Sequence, residues 1–218
     1  FQPLIQISLG VNRDLSGEPH SIVYMLEKPV IIAGEERKWL NVAHHCFDPT
    51  LAPQGKSVMT LLISSNYDYW KPLFEDRSRY ESEKEQIADE AINQLDKRFP
   101  GLKEQIEVVD VATPMTFKRY TDNWQGSFEG WLITTKTFGM SMSKTLPGLK
   151  NFYMVGQWVE PGGGLPPAAL SGRNVIQIVC KQDKKQFNTL QKTTQTTKPA
   201  TPRKTHKTDQ QTTEREEG

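Results

Sequence analysis

Residues 151–180 read NFYMVGQWVEPGGGLPPAALSGRNVIQIVC. Residues 152–155 are a short apolar run with two aromatics, ending at Gly156, and read as a buried strand. Pro161, Gly162, Gly163 and Gly164 then exclude regular structure. Pro166 and Pro167 fix φ for a first helical turn, and Ala168, Ala169, Leu170, Val175, Ile176 and Val179 recur at the spacing of one buried helix face. A helix is therefore expected from about Pro166, its free N–H groups and positive dipole end facing the glycine loop. Such an end favours an anion or a polarised carbonyl, and glycines without a Cβ let a flat ligand come close to the backbone. Strand, glycine turn and helix in that order can build a nucleotide-cofactor site. An ordinary connection has the same local pattern, so the glycines alone leave both readings open.

Two further clusters could do chemistry. His44, His45 and Cys46 are adjacent, but neighbours on a strand point to opposite faces, so the histidines are not expected to chelate one metal ion. His45 as a proton donor and His45 as a core or surface residue both remain open. Tyr120, Trp124, Phe128 and Trp131 lie close to Gly126 and Gly130, a mixture suited to an apolar ligand wall as well as to core packing around a turn. Arg119 and Glu129 could pair, orient that loop or face water.

The elements that must position these residues read as an α/β fold: an α+β unit with a mixed, largely antiparallel sheet, then the strand, loop and helix just described. Residues 4–9, 21–25, 30–33, 39–43 and 57–63 are short β-rich runs broken by Gly, Pro and Asp. From about Glu81 to Phe99, Ile87, Ala91, Ile92, Leu95 and Phe99 form one apolar helical stripe, with Lys97 and Arg98 late, as the helix dipole favours. Pro100 and Gly101 stop that helix, and residues 105–111 return as a strand.

Composition sets the outer limits. From Lys181 onward the chain is rich in Thr, Gln and Lys and carries nine Lys or Arg against five Asp or Glu, so residues 183–218 are expected to form a disordered basic tail. No aromatic interleaving accompanies that charge, and no nucleic-acid partner is assigned to it. Two cysteines, Cys46 and Cys180, suggest neither a disulfide framework nor a zinc site and fit a reducing cytoplasm. No apolar run reaches the roughly 18 to 20 residues that span a bilayer.

The string from Gly156 and Gln157 through Pro161-Gly162-Gly163-Gly164-Leu165-Pro166-Pro167-Ala168-Ala169-Leu170-Ser171-Gly172-Arg173 resembles the C-terminal flavin-contacting signature of the phytoene desaturase-like oxidoreductases. Residues 41–53 (NVAHHCFDPTLAP), 114–120 (PMTFKRY) and 123–131 (NWQGSFEGW) resemble the substrate-side half of the same family. The resemblance covers about residues 1–183. It implies FAD as cofactor and desaturation, saturation or isomerisation of carbon–carbon double bonds in a hydrophobic polyene such as a carotenoid or retinoid. It further implies that Gly156 permits the turn after the strand and that Gly163 and Gly164 lie against the isoalloxazine edge. Leu165, Pro166 and Ala168 would present the helix end to the flavin C2 carbonyl. Gln157 stands where the family usually has an acidic residue reaching the ribityl and phosphate region. Ser171, Gly172 and Arg173 are expected to serve packing.

Family members open with a G-x-G-x-x-G loop for the FAD pyrophosphate, and that spacing does not occur in this sequence. Phe1 falls just before what reads as a mid-domain strand, so a fragment lacking the dinucleotide-binding half is expected. It would comprise part of a substrate domain at 1–145 and a closing FAD-domain element at 146–182, inactive alone. A polyene would be drawn from lipid, which is compatible with a cytoplasmic protein in peripheral contact with a membrane. The alternative is a non-catalytic fragment that binds a ligand or a partner.

Overall fold

The computed structural model describes residues 3–140 and 142–189 of the 218-residue chain. The greater part of the segment expected to form a basic tail, residues 190–218, lies outside the described residues.

Five strands form one antiparallel sheet in the order β2-β3-β4-β1-β5: β1 Leu4–Val11, β2 Ser21–Ile32, β3 Glu35–His44, β4 Ser57–Ser64 and β5 Ile106–Ala112. Strict alternation decides which face is covered. Ile5, Ile7 and Leu9 of β1 join Leu40 and Val42 of β3 and Met59, Leu61 and Ile63 of β4 in one buried cluster. Their neighbours Val23, Met25, Trp39 and Leu62 project from the opposite face and are exposed. The runs at residues 21–25 and 30–33 belong to one strand whose register shifts between Met25 and Val30. Ala33 is a turn residue rather than the end of that strand: Ala33 and Gly34 both have positive φ and link Ile32 to Glu35 as a two-residue hairpin turn.

Helices α1 (Tyr67–Glu75) and α2 (Arg77–Arg98) supply the second layer. Trp70, Ile87, Ala91 and Leu95 are buried in the same cluster as the sheet, and the indole N–H of Trp70 donates to Ser65 Oγ at 2.8 Å. The α2 helix begins four residues before the expected Glu81 because the Asp76 side chain caps it, accepting from the Arg79 N–H. The α1 helix has no counterpart in the sequence reading, since Pro72 lies within it. Asn66 caps its start, and one missing donor is tolerated in so short a helix.

Helix α3 (Pro114–Thr121) follows β5, and helix α4 (Leu165–Gln182) begins where the glycine loop ends, one residue before the expected start. Residues 152–155 differ from expectation. They make one antiparallel bridge, Tyr153 to Thr145, instead of a buried strand, and leave Phe152 and Val155 exposed. Among the described residues no strand lies beside this run to pair with it, and an apolar run without a ladder stays irregular. The expected buried face of α4 is likewise mostly open: Val175 is buried, whereas Leu170 and Ile176 are exposed.

The face assignment predicts unequal effects from adjacent leucines. Leu61 is 0% exposed and Leu62 is 43% exposed. Urea unfolding should show Leu61→Ala costing about 2–5 kcal/mol and Leu62→Ala less than about 1 kcal/mol. Equal costs would contradict the assignment.

Candidate functional site

The site is built from two loops that enter one another. The first leaves α3, whose start is fixed by a capping box between Thr113 and Thr116 with Pro114 in the first turn. The helix ends at Asp122, which has left-handed φ, and the Lys118 ammonium beside Asp122 holds its carboxyl below the usual carboxylate range. Gly126 then passes so close to α3 that a Cβ would sit 1.9 Å from the Pro114 carbonyl oxygen. No other residue fits there without moving the backbone.

Asn123, 8% exposed, is the hub of this loop. Its Nδ2 donates to the Ser127 carbonyl at 2.9 Å, and its Oδ1 accepts from Trp158 Nε1 at 3.0 Å and Gln157 Nε2 at 3.4 Å. The contact continues through Trp131, whose Nε1 donates to the Trp158 carbonyl at 3.0 Å, while its own carbonyl accepts from the Gly162 N–H at 2.8 Å. The Trp131 and Trp158 rings meet edge to face with centroids 5.3 Å apart. Beneath them, backbone presses on backbone. A Cβ on Gly130 would lie 2.1 Å from the Gln157 carbonyl oxygen, and one on Gly163 would lie 2.5 Å from the Gly130 nitrogen.

The second loop is the glycine turn. Gly156, Gly162, Gly163 and Gly164 all have positive φ, and the turn is tied to α4 by Ser171. The Gly156 N–H donates to Ser171 Oγ at 2.8 Å, and that hydroxyl donates to the Ala168 carbonyl at 2.7 Å. Gly164 is the N-cap of α4 and supplies no side-chain cap. The helix end offers fewer donors than the sequence reading assumed, because Pro166 and Pro167 have no N–H and the Ala168 N–H bonds the Gly164 carbonyl. Of the first three helical residues, Leu165 alone carries an N–H, and this residue is 86% exposed. The glycines also divide into two kinds. Gly130 and Gly163 face inward, whereas a Cβ on Gly156 would meet nothing within 4 Å and one on Gly164 only Glu129 Oε2 at 3.3 Å.

Gly156, Gln157, Gly163, Gly164, Leu165, Pro166 and Ala168 thus sit on one turn and one helix start. Gln157 turns its amide inward to Asn123. Glu129 packs against Gly163 and Gly164, and Arg119 stacks over Tyr120 at 5.3 Å. Tyr120, Trp124, Phe128 and Trp131 are exposed. His44 is bound elsewhere, at the end of β3. Its Nδ1 accepts from the Cys46 N–H and its Nε2 donates to the Glu18 carbonyl at 3.0 Å. His45 Nε2 lies 3.1 Å from Thr60 Oγ1. The His20 ring packs edge-on against both histidines, at 5.7 and 6.2 Å.

Two residues escape the sequence reading. Asn123 lies inside a motif already singled out, and its position two residues past a helix end among aromatics was the available signal. Lys144, buried and paired with the half-buried Glu160, has no signal in the sequence, since it sits between Ser143 and Thr145 in a polar stretch.

The close approach at Gly130 generates a direct test. Gly130→Ala should spring the glycine turn from its neighbour and open chymotryptic cleavage after Trp158 by at least about tenfold. Gly17→Ala, where a Cβ meets nothing within 4 Å, should leave cleavage unchanged. Equal resistance in both variants would contradict the interlocked geometry.

No family model matches the chain. Prolycopene isomerase 1, chloroplastic, from an Oncidium hybrid cultivar is 33% identical over 128 residues, 57% of this chain and 21% of that protein. The 4,4'-diaponeurosporene oxygenase of Staphylococcus haemolyticus (strain JCSC1435) is 30% identical over 134 residues, covering 61% of this chain and 26% of its own. All-trans-retinol 13,14-reductase from Danio rerio is 26% identical over 111 residues, 47% of this chain and 18% of that protein. The chain therefore spans only about a fifth to a quarter of the length of these curated relatives. Within that span it is a homologue of phytoene desaturase-like carotenoid and retinoid enzymes.

Proposed function

We propose that this chain is the C-terminal part of a FAD-dependent oxidoreductase that acts on carbon–carbon double bonds of a hydrophobic polyene. Residues 1–145 would contribute to a substrate domain and residues 146–182 would close the flavin site. The observation that carries the reading is the pair of outward-facing glycines, Gly156 and Gly164. Both hold positive φ, a Cβ would meet nothing within 4 Å at Gly156 and only the end of the Glu129 side chain, at 3.3 Å, at Gly164, and both precede a helix start with no side-chain cap. A flat cofactor can reach such a backbone, and a Cβ would fill the space it needs.

The residues present fit a flavin edge better than a phosphate. A single N–H at Leu165 with the positive end of α4 behind it suits one polarised carbonyl, whereas phosphate sites draw on several successive N–H groups. FAD would supply the hydride chemistry when bound. Gly163 and Gly164 would lie along the flavin edge, Leu165 and Pro166 would cover one side of it, and Ala168, bonded to the Gly164 carbonyl and to Ser171 Oγ, would hold the helix start behind them. Gln157 would act indirectly, holding the turn to Asn123. The relatives named for prolycopene and retinol support a lipophilic polyene as substrate, and the exposed Tyr120, Trp124, Phe128 and Trp131 suit its wall. No described helix is long and apolar enough to cross a membrane.

One observation favours a second reading. Phe152, Val155, Leu165, Leu170 and Ile176 present an exposed apolar surface. A chain acting alone would then bind a ligand or a partner without turnover, and the first partner to test is the upstream half of a flavoprotein.

Visible absorbance separates the two. Co-expression with an upstream half carrying the dinucleotide loop should yield bands at about 370 and about 450 nm that are absent from the chain purified alone. Gly164→Asp should abolish them. Flavin bands of normal intensity in that variant, or none with both halves present, would overturn the flavin reading.

A further inference from the structure

The Lys144 side chain is 5% exposed and that of its partner Glu160 is 16% exposed. The Lys144 ammonium donates to the Met142 carbonyl at 2.8 Å, the Val159 carbonyl at 2.7 Å and Glu160 Oε2 at 2.5 Å, which uses all three of its hydrogens. The Lys144 backbone is tied as well: its carbonyl accepts from the Met154 N–H at 2.8 Å, and Thr145 bridges to Tyr153. One residue therefore grips the chain just before the glycine turn through its main chain and inside the turn through its side chain.

A buried ion pair seldom adds stability over a well-packed apolar pair, because removing two charges from water offsets their attraction. Neither Lys144 nor Glu160 belongs to the main core cluster. What the pair does provide is direction. Val159 and Glu160 lie immediately before Pro161 and Gly162, and a turn of glycines has no side chains with which to choose among its many conformations.

We propose that Lys144 is a positioning residue, which clamps Val159 and Glu160 so that the turn from Gly156 to Gly164 is held in its ligand-receiving shape before any ligand arrives. Preorganisation of this kind raises affinity by removing the ordering cost from the binding step. The ligand side of the proposal rests on the flavin reading given above; the clamp itself does not.

The test compares amide hydrogen exchange in the unaltered chain with Lys144→Met, Lys144→Arg and the double variant Lys144→Met/Glu160→Met. The double variant leaves no orphaned charge, so it keeps the comparison valid if the single variant fails to fold. Exchange at Gly162, whose N–H bonds the Trp131 carbonyl, should accelerate at least about tenfold in Lys144→Met and in the double variant. Exchange at Ile7 and Leu61 in the sheet should stay unchanged, and Lys144→Arg should restore Gly162 to within about threefold. Slow Gly162 exchange in the double variant would overturn the proposal, since the pair would then contribute only stability that apolar packing can replace. Uniform acceleration across the sheet would overturn it equally.

Titrating the same samples with FAD tests the ligand side. The double variant should need about tenfold more FAD to shift the Leu165 amide. An unaltered requirement alongside fast exchange would overturn the positioning role. A lack of any FAD response in the unaltered chain would instead refute the flavin reading, while the exchange data still decide the clamp.

Discussion

The close approach of Gly130 to Gln157 and of Gly163 to Gly130 is the constraint on which the site depends. Two backbones lie where even a methyl group would collide, so the loop at residues 123–131 and the turn at residues 156–164 can only be held as a unit. Polar contacts lock that unit from above and below. Asn123 binds Ser127, Gln157 and Trp158 on one side, and Lys144 binds Val159 and Glu160 on the other. Asn123 and Lys144, the centre of each set of contacts, are buried, and hydrogen bonds in such surroundings help to define a single conformation. Gly156 is left open outward, while the inward glycines Gly130 and Gly163 carry the packing.

The sheet contributes by fixing where the first loop starts. The β5 strand pairs with β1 through Ala112, Thr113 is fully buried and accepts from the Met115 N–H, and its hydroxyl also meets Tyr80 of α2 at 2.6 Å. The start of α3 is thereby anchored to both layers. Eight residues later α3 releases the chain at Asp122, and Asn123 follows directly. An isolated bridge from Pro3 to Ser127 returns the loop to the residue just before β1.

Local signals made much of this visible in the sequence. The α2 stripe, the β-rich runs of the sheet and the helix start near Pro166 follow from periodicity and from Pro and Gly placement, which act within a few residues. The helices α1 and α3 were not legible, because Pro72 argues against the first and the Thr113 capping box is too short a pattern to outweigh the aromatics after it. Residues 152–155 carry the composition of a buried strand, but a strand is defined by its neighbours, and those described here provide only Thr145. The glycine turn was found from its residue types. Asn123 and Lys144, which give the turn its shape, were not, since burial of a polar side chain is decided by segments far apart in sequence.

The proposed flavin site is the turn from Gly156 to the start of α4. Its most direct measurement is a backbone amide spectrum of the isotope-labelled chain recorded as FAD is raised to roughly millimolar concentration, where weak binding still registers. Saturable shifts centred on Gly156, Gly164, Leu165 and Ala168 are the predicted result. Shifts centred instead on the open sheet face at Trp39 and Leu62, or on the histidines around His20, would contradict the claim.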